Sequence, residues 1–177
     1  MELIDNKQKI LSEDLNNTIE GKSNISIAAP SFSMYAFASL QKSLENINKM
    51  KFLFTSPAFI SDTFKNEKRE FYIPKLNREK NLYGTEFEIK LKNELTQKAI
   101  AKECAQWIKE KVQFKTNTTE GHIDSMISVD SKDSNTLYTQ IKGFTTTGLG
   151  FEMGNSITDF VQKFTEKEND IIIRQVY

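Results

Sequence analysis

Residues 25–57 read ISIAAPSFSMYAFASLQKSLENINKMKFLFTSP, and this stretch decides the fold class. It opens and closes with short apolar runs, 25–30 and 52–54, which are typical of buried strands and are each followed or ended by a proline. Between them Ser33 stands where an N-cap belongs, and the next apolar residues share one helical face. These residues are Phe37, Leu40, Leu44 and Ile47. Strand, helix and strand in this order form a βαβ unit, so we expect two parallel neighbouring strands in a covered sheet.

Helices are predicted on both sides of this unit. Before it, the apolar residues of 10–19 fit one face of a short helix that ends at Gly21. After it, residues 61–84 are polar and irregular, and the longest periodic segment then predicts a helix from Thr85 to Lys111. Its apolar stripe consists of Phe87, Leu91, Leu95, Ile100, Cys104, Trp107, Ile108 and Val112.

The C-terminal third predicts shorter elements. Strands are expected over 112–114, 126–129 and 137–141, followed by a glycine-punctuated loop. From Ile157 onward the apolar spacing suggests a terminal helix, with a strand at its start as the alternative. Together these elements predict one α/β domain spanning 1–177, with a mixed, mostly parallel sheet and helices on both faces.

Composition limits the class of protein. The chain has 177 residues with 24 basic and 24 acidic side chains, so its formal net charge is zero, and 38% of its residues are hydrophobic. Such a chain buries a core instead of remaining disordered, and its length fits one domain. Zero net charge excludes a protein that coats nucleic acid through bulk positive charge, although it leaves room for a local basic groove.

The chain has a single cysteine, Cys104, and a single histidine, His122. These counts exclude an intramolecular disulfide framework, a cysteine-based zinc cluster and a multi-histidine metal site. No apolar signal segment opens the chain, and no run approaches the roughly 18 apolar residues of a membrane span. We therefore expect a cytoplasmic protein with no membrane partner.

Common enzyme motifs are missing. There is no Gly-rich loop ending in Gly-Lys-Ser/Thr, no Gly-x-Gly-x-x-Gly that opens a helix, and no Gly-x-Ser-x-Gly. An ATPase, a dinucleotide enzyme and an ordinary serine hydrolase are thus not expected within these residues. Cys104 lies in the apolar stripe of the predicted long helix, where a thiol is expected to be buried and unreactive.

His122 is the candidate catalytic residue. It follows a polar turn and precedes an apolar strand, and a histidine at a strand mouth can act as a nucleophile or as an acid and base. The later loop offers backbone N–H groups and hydroxyls to a phosphate, so its candidate phosphate-binding residues are Gly143, Thr145, Thr146 and Thr147. A surface histidine followed by an ordinary turn is the alternative explanation of this pattern.

The order of these elements resembles a phospholipase D-like domain. The resemblance covers nearly the whole chain and is carried by ISIAAPSFSMYAFASLQKSLENI, WIKEKVQFKT, GHIDSMISVD and LYTQIKGFTTTGLG. More narrowly, residues 69–119 resemble the N-terminal region of large bacterial superfamily II helicases of the DEAD/DEAH type, some of which occur in restriction or phage-defence settings. The resemblance implies that residues 1–177 are a phospholipase D-like domain joined to the remainder of a helicase-like polypeptide.

The residues depart from the family's catalytic motif. Active members carry His-x-Lys-x4-Asp and then a Gly-Ser-x-Asn-like turn, in which the histidine attacks phosphorus and the lysine holds the phosphate oxygens. His122 matches the histidine, but Asp124 replaces the lysine and Asp130 falls one position late. In the second motif Phe144 replaces the small polar residue. Loss of the charge-assisted lysine contact alone costs about two to three decades in rate.

The resemblance therefore implies a degenerate site in a non-catalytic accessory domain that acts on nucleic acid, with no cofactor and no metal. The alternative is an active, metal-independent phosphodiesterase or nuclease in which His122 is the nucleophile. The family builds its site from two copies of the motif, so that activity requires a homodimer of this chain. A protein-interaction domain without nucleic-acid contact is a third interpretation.

The candidate DNA contacts are basic residues of the polar segment: Lys68, Arg69, Lys75 and Arg78. Glutamates are interleaved with them, so a solvated face of mixed charge is the alternative interpretation.

Overall fold

A computed structural model describes residues 1–55, 86–119, 121–151 and 160–166 of the chain. The described residues form seven strands in one sheet, with the order β1-β7-β6-β5-β2-β3-β4, and three helices. In chain order the elements are β1 (Glu2–Ile4), α1 (Leu11–Thr18), β2 (Asn24–Ala29), α2 (Met34–Leu44), β3 (Lys49–Phe54), α3 (Glu86–Lys111), β4 (Val112–Thr116), β5 (Met126–Asp130), β6 (Asn135–Thr139) and β7 (Val161–Glu166).

The predicted βαβ unit is confirmed. β2 and β3 are parallel neighbours, with Ile25 opposite Met50. Ser33 caps α2, because its Oγ accepts a hydrogen bond from the Tyr35 backbone N–H at 3.2 Å. The apolar face of the helix is buried as expected, at Phe37, Leu40 and Leu44, and Ile47, which follows the helix, is buried as well.

The prediction of a mostly parallel sheet is wrong. β2, β3 and β4 are parallel to one another, whereas the pairings β2–β5, β5–β6, β6–β7 and β1–β7 are antiparallel. The connection between β5 and β6 is the short turn 131–134, closed by a hydrogen bond from Ser131 N to Ser134 O of 3.0 Å. A turn of this length joins only antiparallel strands, since a parallel pair needs a long crossover.

The terminal helix predicted from Ile157 is also wrong over 161–166, where the chain forms β7, and the alternative of a strand at its start is confirmed there. Its strand character comes from pairing on both sides, with β6 and with β1. β1 has only three residues, too few to show a period, and sequence patterns did not predict it. Both elements are stabilised by tertiary pairing more than by local preference.

The core lies on one face of the sheet. Alternate residues of the central strands point into it, and the buried sides of α1, α2 and α3 cover them. Its members include Ile25, Ile27, Met50, Phe52, Ile127 and Val129 from strands, and Leu15, Phe37, Leu40, Leu44, Cys104 and Trp107 from helices. The opposite face, which contains Ser26 and Lys51, contributes nothing to this cluster. A second helical layer is not seen among the described residues and stays a prediction.

The long helix is confirmed as α3, although Thr85, its predicted N-cap, lies outside the described residues. The stripe is interrupted at Leu95, which is 57% exposed. Further along, the Trp107 indole N–H donates to Leu44 O at 3.0 Å, and its ring lies 4.8 Å from that of Phe37. The C-terminal half of α3 therefore packs against α2. In the described part of the chain, no helix has the length and apolar character needed to cross a bilayer.

A polar network fixes α1 to the sheet. Asp14 Oδ2 accepts hydrogen bonds from Lys163 Nζ and from the Tyr138 hydroxyl, both at 2.7 Å. The Tyr138 oxygen also lies 2.8 Å from Thr18 Oγ1. Burial raises the pKa of the Asp14 carboxyl, but the hydrogen bonds from Lys163 and Tyr138 outweigh burial and hold the pKa below its usual value. The carboxylate form is thus favoured by the fold.

Candidate functional site

His122 and the predicted phosphate-binding loop lie at the same end of the sheet. The carboxyl ends of the parallel strands β2, β3 and β4 lie there, next to the amino end of β5 and the carboxyl end of β6. His122 precedes β5 and the loop 143–147 follows β6, so both belong to this end. Ligand sites in α/β proteins commonly lie outside the carboxyl ends of parallel strands. His122 and the loop 143–147 therefore lie at an end of the sheet where ligand sites are common.

His122 is held in solvent. Its side chain is 88% exposed, and its Nε2 lies 3.2 Å from Oδ1 of Asp124, which is 84% exposed. The imidazole thus meets the carboxylate of a residue two positions further along the chain. An exposed pair of this kind contributes little to stability and leaves both side chains free to change rotamer.

The segment that carries His122 is anchored by Asn117, which sequence analysis did not single out. The Asn117 amide donates to Gly121 O at 2.9 Å and to Thr55 O at 3.3 Å. Its Oδ1 accepts from the Thr119 backbone N–H at 3.0 Å. An asparagine that bonds the backbone two residues ahead is the signature of an Asx turn, and this was the available sequence signal. Asn117 therefore positions the turn, while the histidine beyond it remains free.

The loop after β6 begins with a residue that must be glycine. Gly143 has a φ of 147°, and a Cβ there would lie 2.6 Å from Ser31 Oγ. The next residue, Phe144, is buried and stacks on Phe32 with ring centroids 5.5 Å apart. Its backbone exchanges hydrogen bonds with Ser31 O and Ser33 N. Phe144 thus belongs to the core.

The candidate phosphate-binding threonines form a tight turn. Thr145 Oγ1 accepts a hydrogen bond from Gly148 N at 3.0 Å, and Thr145 O accepts one from Leu149 N at 2.9 Å. The carbonyls of Thr146 and Thr147 accept from the backbone of residues 150–151. Among the described residues, no hydrogen bond joins His122 to Gly143, Thr145 or Thr146. Their role in phosphate binding stays a prediction.

The other charged residues of the motif region are divided between the two ends of the sheet. Asp130 ends β5 and lies at the end opposite to His122. Burial raises the pKa of its carboxyl, an effect that Lys51 partly opposes. Lys132 is in the turn that follows and is also at the far end, whereas Lys142 directly precedes Gly143 at the His122 end. Of these two lysines, only Lys142 therefore lies at the end of the sheet that carries His122.

Cys104 and metal sites can be judged from the described residues. Cys104 is 3% exposed, and burial raises the pKa of its thiol to about 11, so the predicted unreactive, buried thiol is confirmed. Within the described ranges, no group of three histidine, cysteine, aspartate or glutamate side chains is arranged to hold a metal ion.

The predicted nucleic-acid contacts Lys68, Arg69, Lys75 and Arg78 lie outside the described residues. The structure instead reveals a cavity of about 350 Å³ on the sheet face opposite the core, lined in part by Lys51 and Lys115. Sequence analysis missed it. The available signal was the alternation of polar with apolar residues in 49–52, Lys-Met-Lys-Phe, and in 113–115, Gln-Phe-Lys, which places the lysines on the face opposite the apolar residues.

The sequence matches no protein-family model, and a comparison with curated proteins finds none similar enough to count as a relative.

Proposed function

We propose that this chain is a non-catalytic accessory domain of phospholipase D-like type that helps a bacterial helicase-like protein engage nucleic acid in the cytoplasm. The observation that carries the proposal is the contact of 3.2 Å between His122 Nε2 and Asp124 Oδ1 at a solvent-exposed position. A phosphoryl-transfer site needs positive charge around the phosphate oxygens and a fixed nucleophile. This pair supplies a negative charge and a mobile ring.

The charge beside His122 disfavours catalysis. A carboxylate next to the attacking nitrogen repels the phosphodiester that a cation there attracts. The loop 143–147 does not supply the missing cation, because it contains no basic side chain and Phe144 is in the core. The resemblance contributes the nucleic-acid role and the helicase context, and the altered chemistry of the motif contributes the loss of activity.

The first experiment tests the loss of activity. The purified chain is incubated with bis(p-nitrophenyl) phosphate, and with fluorescently labelled single-stranded DNA, in the presence and absence of a chelator. We expect no turnover above buffer in either assay. Turnover that resists the chelator and disappears in His122→Ala would overturn the proposal and favour the active homodimer.

The second experiment tests the nucleic-acid role. Fluorescence anisotropy with a labelled single-stranded oligonucleotide should show binding that weakens steeply with added salt, because phosphate contacts release counterions. His122→Ala should bind equally well, since the histidine is not a contact in this proposal. Absence of binding at low salt would favour a protein-interaction domain.

A charge-reversal variant links the test of activity with the test of nucleic-acid binding. Asp124→Lys restores the family's cation beside His122 and should increase oligonucleotide affinity. The matched control is Asp133→Lys, which makes the same change in net charge on an exposed residue at the opposite end of the sheet. Equal gains in both variants would show a bulk charge effect and no phosphate site at this end.

A further inference from the structure

The face of the sheet opposite the core carries a cavity of about 350 Å³ at the centre of its parallel part. The strand register places its polar residues in one row, with Ser26 opposite Lys51 and Lys51 opposite Gln113. Lys115 lies two residues beyond Gln113 and therefore points to the same face. One hydroxyl, one amide and two ammonium groups thus converge on one concave surface. None of these residues belongs to the His122 segment or to the loop 143–147.

The two lysines are not neutralised by close carboxylates. Among the described residues, no aspartate or glutamate lies within ion-pair distance of Lys51 or Lys115. Asp130, on the same face, acts on Lys51 at longer range. Two positive charges on adjacent strands repel each other. A bound anion would remove that cost.

The remaining walls are apolar. Ala28 and Leu53 form the floor beside the lysines, and Ile123 and Met126 form the side toward the amino end of β5. A bare inorganic ion would leave this surface wet. A ligand with a charged head and an apolar body would cover it, and the volume lies within the range of small-molecule sites.

We propose that this cavity binds an organic phosphomonoester, with the phosphate between Lys51 and Lys115 and the apolar or aromatic body against Ile123 and Met126. A phosphomonoester carries close to two negative charges at neutral pH, which match two lysines better than the single charge of a carboxylate. Lysine is well suited to phosphate as a point charge, and Gln113 and Ser26 supply further hydrogen bonds. This chemistry occurs on a free mononucleotide and on the 5′-phosphorylated end of single-stranded nucleic acid.

Calorimetric titration of the chain with adenosine 5′-monophosphate tests the site. We expect binding that is tighter than that of inorganic phosphate or of adenosine alone. The double variant Lys51→Gln/Lys115→Gln should lose about tenfold in affinity per lysine, because each removes one charge-assisted contact. The matched control Lys102→Gln/Lys109→Gln removes two exposed lysines of α3 and should bind like the unchanged chain.

Two results would overturn the proposal. One is equal affinity of the Lys51/Lys115 variant and the unchanged chain. The other is affinity for adenosine 5′-monophosphate no greater than for inorganic phosphate, since the apolar walls would then contribute nothing. Unfolding curves of both double variants confirm that the fold is intact, as expected for substitutions of exposed side chains.

Anisotropy with matched oligonucleotides separates the two sources of the ligand. If the 5′-phosphorylated oligonucleotide is displaced by adenosine 5′-monophosphate while its 5′-hydroxyl counterpart is not, the site takes the end of a nucleic acid. If only the free nucleotide binds to the cavity, the site takes a small molecule. If the Lys51/Lys115 variant binds both adenosine 5′-monophosphate and the 5′-phosphorylated oligonucleotide as tightly as the unchanged chain does, the site is overturned. Binding of the 5′-hydroxyl oligonucleotide tests the proposed function independently of this site.

Discussion

The two faces of the sheet differ most clearly within β3, where Phe52 and Lys51 are consecutive. Phe52 is 1% exposed and lies among the aromatic rings of Phe32, Phe114 and Phe144. Lys51 is exposed and lines the cavity on the other side. The same backbone thus supports a closely packed face that fixes the fold and a polar concave face whose side chains are available to a ligand. Stability and binding are separated by the alternation of a strand.

Removal of Phe52 is the strongest test of the difference between the two faces. Phe52→Ala deletes a fully buried ring from the centre of the aromatic cluster and leaves a cavity, so the free energy of unfolding should fall by about 4 kcal/mol. Urea unfolding followed by circular dichroism measures the loss.

Lys51→Gln is the control one residue away. It should change the free energy of unfolding by less than about 0.5 kcal/mol, as is usual for an exposed position. Similar losses in Phe52→Ala and Lys51→Gln would contradict the assignment of the two faces.

The second prediction compares a buried acid–base pair with an exposed one. Asp14 and Lys163 have side chains that are 11% and 15% exposed, whereas Asp124 and His122 are 84% and 88% exposed. Asp14→Ala leaves the Lys163 ammonium and the Tyr138 hydroxyl without their acceptor, so the free energy of unfolding should fall by about 3 kcal/mol.

The matched variant Asp124→Ala should cost less than about 0.5 kcal/mol, because an exposed pair contributes little. The same urea titration serves for both. A large loss in Asp124→Ala would show that the His122 segment is a structural part of the fold.

The sequence predicted the features that depend on residues close together in the chain, and it did not predict those that depend on distant residues. The Ser33 cap, the helical face through Phe37 and the strands on either side are local patterns, and each was correct. The contact between Asp14 and Lys163 joins opposite ends of the chain, and neither residue stands out in its own segment. The insertion of β5 antiparallel to β2 is likewise decided by pairing between distant segments, so local periodicity could not predict the sheet order.

The candidate site shows the same division. His122 and the loop 143–147 were found from local motifs, and the sheet does bring them to one end. The pairing of Lys51 with Gln113 needs the register of β3 and β4, which no single segment contains. The cavity was therefore visible only after folding.

The third prediction uses pH to isolate the Asp14 network. Its lowered pKa means that the folded state holds the carboxylate more strongly than the unfolded chain does. The resulting stability is fully present above the usual pKa of an aspartate, near pH 4, and is lost as the pH falls through the lower pKa of the folded state. The difference in unfolding free energy between the unchanged chain and Asp14→Asn should therefore narrow below about pH 4. Urea titrations at a series of pH values measure it, and a constant difference would contradict the ionic origin of the network.

The smallest expected effect concerns the helix cap on the covered face. Ser33→Ala removes the acceptor for the Tyr35 backbone N–H at the start of α2 and should cost about 1 kcal/mol of unfolding free energy. Ser39 is the matched control, because its hydroxyl is exposed and only donates to Tyr35 O at 2.9 Å within the same helix. Ser39→Ala should be neutral or slightly stabilising, since alanine has the higher helix propensity and no orphan group is left. If both variants lose the same amount, the cap is not what begins α2, and the apolar face through Phe37 and Leu40 must fix the start of the helix by packing alone.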